Sequence, residues 1–74
     1  MTFVILERVR DTDTGDVTET GYDLSQIAQV NPHKEIKACW IVNHVGRTVA
    51  LVAGSLQEVV AKLNEAGARN DLSA

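Results

Sequence analysis

Phe3-Val4-Ile5-Leu6 is a continuous apolar run that gives way to Glu7-Arg8-Val9-Arg10, where charge and valine mix. Four apolar residues followed by near-alternation predict a strand from Thr2 to about Arg10, buried at its start and wet at its end. Asp11-Thr12-Asp13-Thr14-Gly15-Asp16 is dense in turn formers, and Gly15 can take positive φ without steric cost. The short β-branched stretch Val17-Thr18-Glu19-Thr20 reads as the returning strand of a hairpin. A second hairpin is predicted from Glu35–Val42 and Arg47–Ala53, joined by Asn43-His44-Val45-Gly46 with Gly46 at the left-handed position.

Two segments carry helix-start chemistry. Asp23-Leu24-Ser25-Gln26 follows the Gly21-Tyr22 break, with Asp23 as capping residue, Gln26 three positions on, and Leu24, Ile27 and Ala28 on one face. Pro32 ends this short helix near Val30 or Asn31, because the residue before a proline is pushed out of the α region. Ser55-Leu56-Gln57-Glu58 is a second capping box, and Leu56, Val59, Val60 and Leu63 recur at helical spacing over 55–66, with Gly67 placed to terminate. Glu58 and Lys62 form an i, i+4 pair on its polar side. The similarity of the two starts is consistent with a duplicated ββα unit or with independent use of a common cap. The expected fold is α+β, ββαββα: a four-stranded antiparallel sheet with one short and one long helix on one face. Residues 1–67 form one domain and 68–74 are expected to be a flexible C-terminal tail.

Size and charge narrow the function classes. The 74 residues suffice for one small domain. The longest apolar runs, Ala38–Val42 and Val49–Ala53, have five residues each. A membrane helix needs about 20. The first residues lack a basic lead and a long apolar stretch, so no secretory signal is expected; with a single cysteine, this points to a reduced, cytoplasmic setting. A net charge of −3 argues against nonspecific binding to nucleic acid or anionic membrane.

Candidate chemistry is sparse. Asp11-x-Asp13 with Gly15-Asp16 hints at a calcium loop, but glycine falls at the fifth position and Tyr22 at the twelfth, where such a loop wants glycine sixth and glutamate twelfth. Asp11–Asp23 holds five acids (Asp11, Asp13, Asp16, Glu19, Asp23) and no base, an acidic lobe able to meet a basic partner surface. Cys39, His33 and His44 have no zinc-type spacing, and nothing marks Ser25, Ser55 or Ser73 as a nucleophile. No enzymatic activity, cofactor or metal is expected. Arg8 and Arg10 share a strand face that Lys37 or Arg47 can join, yet the aromatics needed to stack bases are scarce, so nucleic-acid binding is a minor alternative.

The stretch Val49–Ala66, a short strand followed by the Ser55-Leu56-Gln57-Glu58 helix start, resembles the HicB-type antitoxin domain over less than a third of the chain. The preceding ββα order departs from that family. The resemblance implies a toxin–antitoxin component as an alternative role. The leading expectation is a small non-enzymatic protein-binding module, a regulator or inhibitor. Its size and acidity would suit a phage- or mobile-element-encoded inhibitor of a host defence or regulatory complex.

Both faces of the predicted sheet are apolar. Ile36, Ala38, Trp40 and Val42 share one side of a strand, and Lys37, Cys39 and Ile41 the other. With helices on the Trp40 side, Val4, Leu6, Cys39, Ile41, Ala50 and Val52 remain as an apolar patch ringed by Arg8, Arg10 and Lys37. This patch is the expected partner or homodimer interface. With helices on the other side, Trp40 itself is exposed on a larger patch. The acidic contact lobe is Asp11, Asp13, Asp16 and Glu19.

Overall fold

In the computed structural model, described over residues 2–73 (side chains through Gly67), five antiparallel strands make one sheet and one α-helix lies across it. The strands are β1 (Phe3–Asp11), β2 (Asp16–Asp23), β3 (Gln29–Pro32), β4 (Ala38–Val42) and β5 (Thr48–Ala53), and the helix is α1 (Leu56–Ser73). Their order in the sheet is β2-β1-β5-β4-β3. The α+β class therefore holds, with five strands and one α-helix in place of four and two.

Both hairpins form where turn chemistry sets them. Gly15, at φ 75°, donates to the Asp11 carbonyl at 2.9 Å, and the Asp11 carboxylate accepts from the Asp13 amide. β2 runs on through Gly21 and Tyr22, pairing Gly21 with Ile5 and Tyr22 with Val4. In the second hairpin Gly46, at φ 81°, donates to the Asn43 carbonyl, while the Asn43 side chain accepts from the Val45 and Arg47 amides.

The predicted first helix is the main departure. Asp23 does cap, its carboxylate accepting from the Ser25 amide at 3.1 Å, but only a single 3-10 turn follows, Leu24–Gln26. Ile27 is already extended, and Gln29–Pro32 pairs with β4 instead. Pairing satisfies the outer backbone of β4 and carries Val30 opposite Ile41, against the core. Pro32 suits this role, since a proline at a sheet edge leaves no ladder donor unmet. The two similar starts thus have different outcomes, because tertiary pairing overrides a two-turn helix that cannot stand alone.

The second start behaves as read. Ser55 Oγ accepts from the Glu58 amide at 3.2 Å, and the Val59 amide donates to the Ser55 carbonyl at 3.0 Å. Gly67 does not end the helix. It is not in the left-handed region, and its Cα side faces Leu24 Cδ2, 3.8 Å from where a Cβ would stand. The tail expected at 68–74 falls on residues whose side chains lie outside those described, and the helical backbone continues to Ser73.

Helix α1 presses Val59, Leu63 and Ala66 onto one sheet face. There they meet buried Val4 and Leu6 of β1, Cys39 and Ile41 of β4 and Val52 of β5, with Tyr22, Leu24, Ile27 and Val30 packed around. Gly54, at φ 117°, turns the chain from β5 toward that face. Lys37 Nζ and Glu58 Oε1, 2.7 Å apart, tie the start of the helix to the segment leading into β4.

Candidate functional site: the helix-free sheet face

The interface residues expected from the sequence fall on the covered face. Val4, Leu6, Cys39, Ile41, Ala50 and Val52 are all buried, so these six are core and no docking surface. Arg8 is exposed at the far end of the same face, paired with Val52 across the sheet, and Arg10 is exposed at the irregularity between Val9 and Asp11. The reason is that the one long helix follows β5 onto the Val52 side, while the segment expected to supply a second helix joins the sheet edge.

The opposite face is left without a layer. Phe3 is 58% exposed, Ile5 66% and Trp40 37%, with Val17 and Val49 also exposed. Register organises them. Val17 lies opposite Val9, and Trp40 opposite both Leu51 and Asn31. The Arg8↔Val52 pair sets Val9 level with Leu51, so one apolar row, Val17-Val9-Leu51-Trp40, crosses the sheet from edge strand β2. Leu51, flanked on both sides, is buried within it. Val49 sits at the irregularity between the Ile41↔Ala50 and Val42↔Thr48 pairs. Phe3 and Ile5 form a second apolar group further along β1, opposite Asp23 and Gly21.

Between the two groups Glu7 stands directly opposite Glu19. Both are exposed, and among the described residues neither makes an ion pair or a side-chain hydrogen bond. Glu19 is thus separated from the rest of the acidic lobe: Asp11, Asp13 and Asp16 lie exposed in and beside the hairpin turn, beyond the Val9–Val17 end.

At the Trp40 end the chain folds alongside the indole. His33 stacks on Trp40 at a centroid distance of 5.6 Å, and its Nδ1 accepts from the Glu35 and Ile36 amides. Pro32, His33, Lys34, Glu35 and Trp40 line a shallow depression of about 440 Å³. A smaller one, about 260 Å³, lies between β1 and the helix, lined by Phe3, Val4, Ile5, Lys62, Glu65 and Ala66.

The residues weighed for catalysis are dispersed. Cys39 is fully buried with Sγ 3.5 Å from the Gly54 carbonyl oxygen. Burial, and secondarily the negative charge of Glu58, push its thiol pKa up, which disfavours the reactive thiolate. His44 donates through Nε2 to the Ser25 carbonyl at 2.8 Å, fixing that tautomer and joining the β4–β5 turn to the 3-10 turn. Ser25 Oγ is engaged by Asp23, and Ser55 caps the helix. Among the described residues no cluster of three or more His, Cys, Asp or Glu side chains could hold a metal ion. No helix among them is long and apolar enough to cross a membrane.

No protein-family model matches this chain, and neither a curated protein nor a solved structure matches it. The open face therefore has to be read from its own chemistry.

Proposed function

We propose that this protein is a small non-enzymatic protein-binding module, a regulator or inhibitor, that docks through the helix-free face of its sheet. The observation carrying this reading is the row Val17-Val9-Leu51-Trp40 with exposed Phe3 and Ile5 beside it, on a face that no element of the described chain covers. Exposed apolar side chains gathered on one face and rimmed by polar ones mark association surfaces. Aromatic residues such as Trp40 are favoured as anchors because they bury much area for little lost rotamer entropy. The occupant is another protein or a second copy of this chain. The proposal moves the expected interface from the Cys39 side to the Trp40 side of the same sheet.

The test compares wild type with an Ile5→Lys, Val17→Lys variant, both checked for native circular dichroism. Light scattering at high micromolar concentration and capture from extracts of the native host are read together. Self-association or a captured protein that the folded variant loses supports the proposal. A monomeric wild type that captures nothing, or a variant that behaves as wild type, contradicts it.

A further inference from the structure

Charge divides between the two faces of the sheet. Arg8 of β1 lies on the side of Val52, whereas Glu7 lies with Ile5 and Val9 on the open side and Glu19 lies opposite it; Arg10 sits at the irregularity between Val9 and Asp11, at the hairpin end. At the strand positions of the open face (Phe3, Ile5, Glu7 and Val9; Val17, Glu19 and Gly21; Leu51 and Ala53; Ala38 and Trp40; Gln29 and Asn31) there is no lysine or arginine. Asp11, Asp13 and Asp16 add negative charge at the hairpin end, while Lys34 with Glu35 at the Trp40 end and Lys62 with Glu65 beside Phe3 and Ile5 each bring one charge of either sign.

Like charges directly opposite on an antiparallel pair repel, so the Glu7–Glu19 pair costs the free protein stability. Side chains without partners hold that cost until a cation arrives. We infer that the surface this face fits is a basic one: a partner protein presenting lysine or arginine flanked by apolar side chains, the cation between Glu7 and Glu19 and the apolar groups on Phe3–Ile5 and on Val17–Val9–Trp40. This rests on the reading of the open face as a docking surface and names its partner's chemistry. Nucleic-acid phosphates and anionic lipid are repelled by the same carboxylates. A second copy stacked face to face brings no lysine or arginine from these strand positions to meet them, so the charge pattern selects a different, basic protein.

Three strand-length peptides of one alternating apolar scaffold, carrying two lysines, two glutamines or two glutamates at the polar positions, test this through the fluorescence of Trp40, the protein's one tryptophan. The lysine peptide is expected to shift the emission and to bind about three- to tenfold more tightly than the glutamine peptide. That advantage should disappear in a Glu7→Gln, Glu19→Gln variant and shrink as salt rises from about 0.05 to 0.5 M. Equal binding of the lysine and glutamine peptides overturns the charge assignment and leaves the docking face standing. A response unaltered by Ile5→Lys, Val17→Lys overturns the face itself. No response to any peptide, or a wild-type dimer that Ile5→Lys, Val17→Lys breaks, overturns the basic-partner inference.

Discussion

Tyr22 lies opposite Val4 on the covered face, and its hydroxyl is buried without a hydrogen-bond partner. An unmet buried hydroxyl carries a desolvation penalty of about 1–3 kcal/mol, so Tyr22→Phe keeps the ring's packing and removes the cost. The variant is expected to be at least as stable as wild type, read as an unchanged or raised urea midpoint; a drop of about 1 kcal/mol or more would mean that the hydroxyl is bonded. Glu58 makes the converse case. Lys37, donating to its carboxylate, is the main cause that holds its pKa below the usual glutamate range. A pKa lowered by folding contributes stability above the unfolded value, and that contribution is lost as pH falls through the folded one. The gap in urea midpoint between wild type and Glu58→Gln should therefore be fully present above about pH 5 and close as pH falls below about 4.3. A gap that widens on acidification would reverse the assignment.

Elements defined by chemistry within a few residues were legible. The Asp11–Asp16 and Asn43–Gly46 turns carry their own glycines and side-chain acceptors, and Ser55 announces the helix three residues before Glu58. Ser55→Ala should cost about 1 kcal/mol in urea unfolding through loss of the N-cap, and an unchanged midpoint would place the helix start elsewhere. What was not legible depended on partners distant in sequence. Asp23-Leu24-Ser25-Gln26 has the same local signal as Ser55–Glu58, yet the edge of β4 draws Gln29–Pro32 into a strand before a second turn can form. Gly67 has a terminator's identity but sits in mid-helix beside Leu24, a contact no local pattern encodes.

At the scale of the whole molecule the sequence announced a two-faced apolar sheet and left open which face is covered. Phe3 and Ile5 alternate with Val4 and Leu6, and Trp40 with Cys39 and Ile41, so either set reads as core. The choice is made by the course of the chain after β5, where Gly54 turns α1 onto the Val52 side and Val59, Leu63 and Ala66 close over it. The same choice puts Arg8 on the helix side and Glu7 and Glu19 on the open side, and the proposed docking chemistry follows from it. The most direct check is a pair of double variants compared by circular dichroism and urea unfolding. Ile41→Lys, Val52→Lys places two charges under the helix and is expected to abolish folding, since an unpaired buried charge costs several kcal/mol. Ile5→Lys, Val17→Lys places them on the open face and is expected to keep the native spectrum with a midpoint near that of wild type. A folded first variant beside an unfolded second would show that the helix covers the Trp40 side, and would contradict the account at its centre.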